Sequence, residues 1–244
     1  MCTLTYRLMD QGYQLFFNRD EQITRPQANP PALNPFLKSI YPVDPTGGGT
    51  WIAAHESGVS LALLNFYQAQ IDPNLKQFTS RGVIIPHLLK YPHEIDKVLK
   101  QMDLTVFQAF QLCVFEHDFS AQTAATARQY IWNGQSLSRC VLSALDSLPI
   151  TSSGVDFETV SAYRKKQFTK MMVNKQVTEA DFMAYHQHQG ALGKCSVKMY
   201  REDAKTVSFT KITVNQSKAL GNKIKIEYMD YLSEQPDSWL ALTL

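Results

Sequence analysis

Near the start of the chain, Leu4, Tyr6 and Leu8 alternate with Thr3, Thr5 and Arg7. That period of two predicts a strand over 3–8 with one buried face. Met9-Asp10-Gln11-Gly12 reads as a turn, and the aromatic-rich run Tyr13–Asn18 predicts the returning strand of a hairpin. Antiparallel partners about a turn centred between Asp10 and Gln11 have numbers summing to about 21, so Cys2 is expected opposite Arg19, with Asp20 one residue on. Further strands are predicted over 51–55, 59–65, 109–116, 123–132, 195–200, 205–214 and 223–229. Helices are predicted over 78–90, 93–102, 155–173 and 178–188, the third carrying Val155, Val160, Phe168, Met171 and Met172. Strands at both ends with helices grouped between them point to an α+β fold rather than to alternating βαβ units. From Gln22 to Thr46 six prolines interrupt the pattern, predicting a loop without regular structure beside the hairpin.

The start of the hairpin carries the chemistry. If Met1 is removed, Cys2 holds a thiol and a free α-amine, and an amine of reference pKa roughly 7.7–8.0 can accept the proton of a thiol near 8.5. A cation such as Arg19 beside a thiol lowers its pKa, and a carboxylate such as Asp20 orients an amine. Two readings stand for Cys2: an N-terminal nucleophile, or a small buried residue next to an ordinary surface ion pair.

Met1-Cys2-Thr3, Phe17-Asn18-Arg19-Asp20-Glu21 with Arg25-Pro26, Gly48-Gly49-Thr50-Trp51, and Arg201-Glu202-Asp203-Ala204 continuing to Thr206-Val207-Ser208 resemble the NRDE family, also called the transport and Golgi organisation family. That family is similar in turn to the N-terminal-nucleophile hydrolases, above all the choloylglycine hydrolase and penicillin V acylase branch. The resemblance implies a four-layer αββα sandwich and cleavage of a non-peptide C–N amide bond of a small molecule. It places Cys2 as the nucleophile and Arg19 and Asp20 beside it, although the branch writes Arg-Asn-x-Asp where this chain writes Asn18-Arg19-Asp20. Gly58–Phe66 resembles the branch's strand ending in Leu-Asn-Phe, which makes Asn65 the oxyanion candidate; an Asn that merely turns the strand is the alternative. Ser152 stands where the branch tends to have a second amide, for which a hydroxyl is a poorer substitute. Arg164 resembles an Arg of the branch near the nucleophile, against a plainer reading as a solvated helix residue. The same family has been connected with haem or lipid handling, so a non-catalytic carrier on this fold is the second functional expectation.

Length and composition bound these readings. The chain has 244 residues, 44% of them hydrophobic, and no low-complexity linker, which predicts one domain over 1–244. The net charge of +2 arises from 24 basic and 22 acidic side chains in mixed order, leaving no nucleic-acid footprint. No run approaches the roughly 18 apolar residues of a membrane span, and no leader pattern opens the chain, so a cytoplasmic protein is expected. Cys2, Cys113, Cys140 and Cys195 are too scattered for a disulfide framework. No metal or other cofactor is expected, since His186 and His188 would point about 180–200° apart in either regular structure. Gly47-Gly48-Gly49-Thr50 lacks the Lys of a phosphate loop; its glycines are expected to permit positive φ or close backbone approach.

Overall fold

The computed structural model describes residues 1–69, 78–121, 123–142, 145–173, 176–190, 193–219, 221–234 and 238–244. Thirteen strands are described: β1 (Cys2–Met9), β2 (Gly12–Gln22), β3 (Asn29–Asn34), β4 (Ser39–Val43), β5 (Ile52–His55), β6 (Val59–Asn65), β7 (Phe110–Glu116), β8 (Thr126–Trp132), β9 (Leu137–Val141), β10 (Ile150–Ser152), β11 (Ala204–Asn215), β12 (Ile224–Asp230) and β13 (Trp239–Thr243). The α-helices are α1 (Ile84–Leu88), α2 (Ile95–Gln101), α3 (Phe157–Met172) and α4 (Glu179–His186). One sheet runs β10-β1-β2-β11-β12-β13 and the other β3-β4-β5-β6-β7-β8-β9.

The side-chain period of the strands sets the layers. Leu4, Tyr6, Tyr13, Leu15 and Phe17 meet Ile40, Ile52, Ala54, Ala62 and Phe115 of the other sheet in one buried cluster. Tyr13 ties the sheets together, its hydroxyl donating to Ser60 Oγ at 2.8 Å. On the outer face of the second sheet, Ala53, Leu61, Leu63, Leu112 and Val114 pack with Ile84, Ile85, Leu88, Ile95 and Leu99. On the outer face of the first, Phe16 stacks on Phe182 of α4 with ring centres 5.0 Å apart. The order is therefore α3/α4, sheet, sheet, α1/α2, the four-layer αββα arrangement expected from the resemblance.

Three local expectations are corrected. β1 is buried on both faces: Thr3 and Thr5 are covered by the helical layer, and Thr5 Oγ1 lies 2.8 Å from His186 Nε2. The proline-rich segment forms β3 and β4 instead of an irregular loop. It can do so because Pro30 and Pro31 fall in the register shift between Asn29 and Ala32 on an edge strand, while the β4–β5 pairing spans Ser39 and Ile40 and ends before Pro42. The strand expected over 195–200 is replaced by a short 3₁₀ turn, Gly193–Cys195, and irregular chain reaching an isolated bridge between Tyr200 and Lys205. Among the described residues no helix is long and apolar enough to cross a membrane.

Candidate functional site

The β1–β2 hairpin has the expected register, Cys2 opposite Arg19, and β10 adds Ser152 on the other side of Cys2. Directly opposed residues share a face, so Cys2, Arg19 and Ser152 project together toward the space between the sheets. Met1 and Asp20 exchange both backbone hydrogen bonds, Met1 N donating to Asp20 O at 3.1 Å and Asp20 N to Met1 O at 2.9 Å. In an antiparallel pair that pattern turns the N–H and C=O of the next residue outward, so those of Cys2 face β10. Removing Met1 would leave the Cys2 amine beside Ser152 and free the Asp20 N–H.

Cys2 borders a cavity of about 680 Å³ whose wall also includes Arg19, Trp51, Asn65, Tyr67 and Arg81. Burial pushes the Cys2 thiol up; the N-terminal ammonium pulls it back, Asp20's charge adds to the rise, and Asp20's backbone and Arg19 oppose it. Ser152 is buried, and its Oγ has no hydrogen-bond partner among the described residues. An orphan hydroxyl on the face of Cys2 is a vacant hydrogen-bonding position, because buried polar groups are nearly always paired.

Arg19 is held from two sides. Its guanidinium lies 4.3 Å from the centre of the Trp51 ring and reaches Glu21 Oε2 at 3.2 Å and Asp44 Oδ2 at 3.5 Å. Arg25 closes on the same carboxylate, its NH2 lying 2.6 Å from Asp44 Oδ2. Burial opposes the charge on Asp44, but the Arg25 hydrogen bond and the two guanidinium charges outweigh it and hold the carboxyl below its ordinary range.

Asp20, one residue on, points to the opposite face. Its Oδ2 pairs with Arg164 NH2 at 3.2 Å, with no exposed side-chain surface on either partner, and its Oδ1 accepts from Thr206 Oγ1 at 2.6 Å. Arg164 NH1 also donates to Thr3 Oγ1 at 2.5 Å. The plainer reading of Arg164 as a solvated helix residue is therefore corrected: it lies on the buried stripe Val160, Arg164, Phe168, Met172, which follows the helical spacing of four. Asn65 ends β6 at the cavity wall, and its Nδ2 donates to Tyr67 Oη at 2.7 Å. One N–H of that amide remains for another acceptor.

The structure thus brings Cys2, Arg19 and Asn65 to one cavity, sets Ser152 on the face of Cys2, and places Asp20 and Arg164 behind β1 and β2. Trp51, Arg25 and Thr206 lie within sequence motifs already singled out, but their partners depend on strand pairing that no local pattern reveals. Asp44, Tyr67 and Arg81 carried no such signal. Arg81 is positioned by a backbone crossing: an added Cβ on Gly49 would lie 2.2 Å from the Gly82 carbonyl carbon, and Thr50 N donates to Gly82 O at 3.0 Å. Only glycine permits that approach.

The family model of Transport and Golgi organisation 2 matches residues 1–232. Among solved structures, the mutant C2A conjugated bile acid hydrolase from Clostridium perfringens aligns with a TM-score of 0.58 at 11% identity, over 100% of this chain and 92% of that one. A Caenorhabditis elegans ortholog of N-acylethanolamine-hydrolyzing acid amidase aligns at 0.43 and 10% identity, over 90% of this chain and 94% of that one. No curated protein sequence matches the chain. The likeness to the bile acid hydrolase is one of fold.

Proposed function

We propose that this chain, which belongs to the Transport and Golgi organisation 2 family, is an N-terminal cysteine amidohydrolase that cleaves a non-peptide C–N amide bond of a small molecule once Met1 is removed. The observation that carries the reading is the register: Cys2 faces Arg19 and Ser152 at the wall of a cavity that also holds Asn65. Removal of Met1 supplies the base, because the α-amine then belongs to the residue bearing the thiol.

The sequence of events follows from those positions. Cys2 Sγ attacks the amide carbonyl carbon while its proton passes to the Cys2 amine. The carbonyl oxygen becomes an oxyanion that Asn65 Nδ2 and a backbone N–H receive. Collapse breaks the C–N bond, the leaving amine takes the proton from the Cys2 ammonium, and water then cleaves the thioester. Arg19 supplies positive potential on the face of the thiol. Asp20, Arg164 and Thr206 act from behind the strands as positioning residues, fixing the end of β2 against which Cys2 is set. Ser152 Oγ is the group available to hold the freed amine in place.

A haem or lipid carrier draws less support from the same cavity, since Arg19, Glu21, Arg25 and Asp44 line it with charge.

The test begins with the intact mass of protein expressed in cells, expected to lack one methionine. Wild type is then expected to hydrolyse members of a panel of N-acyl amino acids, bile-salt conjugates and penicillin V. Cys2→Ala should fold and show no turnover, and Cys2→Ser should lose most of it. Retention of Met1, or equal rates in wild type and Cys2→Ala, ends the hydrolase reading. A saturable Soret shift on haem titration without any turnover would favour the carrier.

A further inference from the structure

Four guanidiniums and three carboxylates meet at the cavity or directly behind it. Arg164 pairs with Asp20, while Arg19 and Arg25 are taken up by Glu21 and Asp44. Arg81 is left over. Among the described residues no carboxylate lies within ion-pair distance of it, and its one hydrogen bond runs from NH1 to the Ala109 carbonyl at 2.9 Å. A guanidinium carries five N–H donors, so most of its capacity is unspent. The residue is neither loose nor fully solvated: it is partly buried at the cavity wall, and the Gly49–Gly82 crossing fixes the turn that carries it. Burial pulls its pKa below the ordinary value, against the opposing influence of Tyr67, Cys2 and Glu21.

An unpaired, partly desolvated cation fixed at a cavity wall is stabilised by an anion that enters with the ligand. From this arrangement we infer that Arg81 is the specificity-determining residue of the cavity, and that the amide cleaved there carries a carboxylate or an equivalent oxyanion, bound by Arg81 away from the scissile bond. The inference takes the hydrolase reading of the same cavity as its starting point. The anionic group takes no part in bond breaking, so its contact is made equally in ground and transition states, and loss of Arg81 is expected in KM rather than in kcat. Hydrogen bonds between charged groups support an effect of about 10- to 100-fold.

A matched pair of substrates reads this directly: an N-acylglycine and the N-methylamide of the same compound, identical except for the carboxylate. Wild type is expected to favour the acid by about 10- to 100-fold in kcat/KM. Arg81→Ala should lose that preference through a higher KM on the acid, Arg81→Lys should keep part of it, and Arg81→Glu should move it toward an amide bearing a terminal ammonium. The same pair is titrated calorimetrically into Met1-free Cys2→Ala protein, with and without Arg81→Ala, so that binding is read without turnover. Carboxylate-dependent binding that requires Arg81, in the absence of hydrolysis by wild type, would end the amidase reading and leave standing the role of Arg81 as the anion-binding residue of the cavity. Equal handling of acid and methylamide by wild type, in turnover and in titration, overturns the inference whatever becomes of the amidase. Should Arg81→Ala fail to fold, Arg81→Gln takes its place, and a full preference for the acid in that variant removes Arg81 from the role.

Discussion

The contact between Asp20 and Arg164 joins two charges with no exposed side-chain surface, completed by Thr206 on one side and Thr3 on the other. Such a pair is poor evidence of net stability, yet breaking it is expensive, because the surviving charge stays in a low-dielectric interior. Asp20→Asn is therefore expected to destabilise the protein by about 3–5 kcal/mol in urea unfolding. The double variant Asp20→Asn with Arg164→Met should lose clearly less than the sum of the single losses. Simple additivity of the two would show that they do not act as one unit. At this scale the sequence was only partly legible. The Asn18-Arg19-Asp20 run marked the right strand and put Arg19 beside Cys2, but Asp20, expected beside Cys2 as well, turns to the opposite face, where Arg164 and Thr206 hold it. Arg164 looked like a solvated helix residue because charge is the usual sign of exposure. Its position four residues after Val160 and four before Phe168 was the better sign. Arg81 had no local signature at all, since what distinguishes it is that no carboxylate among the described residues pairs with it.

Among the elements, the first hairpin was the most legible, because a clean period of two and a short turn determine its register, and register determines which residues face Cys2. The far end of the same strand shows what secures that register. Gly12 has φ of 139°, and an added Cβ would lie 1.9 Å from the Val214 carbonyl oxygen, where β11 pairs with β2. Gly12→Ala must therefore strain its own backbone and push β11 away, with an expected loss of about 2 kcal/mol or more measured by chemical denaturation. Unchanged stability would mean that the β2–β11 contact yields easily at the turn. β3 and β4 were missed for the opposite reason: prolines normally veto a ladder, and nothing local discloses that Pro30 and Pro31 fall at a bulge on an edge. β10, with only Ile150–Ser152, is too short to show a period, yet it supplies the strand against which Cys2 is set.

Over the whole molecule, the α3/α4 layer meets the first sheet through aromatic rings and a polar seam, and His186 stands at the centre of that seam. Its Nε2 lies 2.8 Å from Thr5 Oγ1, its carbonyl accepts from Asn18 Nδ2 at 2.8 Å, and its ring packs against Phe16, Tyr185 and Phe209. Burial, and secondarily the positive charge of Arg164, push its pKa down to about 3. An unfolded chain protonates the same ring near 6.5. Between those values the unfolded state binds the extra proton, so stability is fully present above about pH 6.5 and falls as the pH drops toward about 3, at up to about 1.4 kcal/mol per pH unit. Urea midpoints measured from pH 7 down to pH 4 should therefore decline more steeply for wild type than for His186→Gln, whose amide still reaches Thr5 but does not titrate. Carboxylates elsewhere, such as Glu179, titrate in both proteins and cancel in the difference. Wild type should lie above His186→Gln by a constant margin near pH 7, and the two curves should converge or cross below about pH 5. Parallel curves across the whole range would mean that the ring takes its proton without leaving the seam.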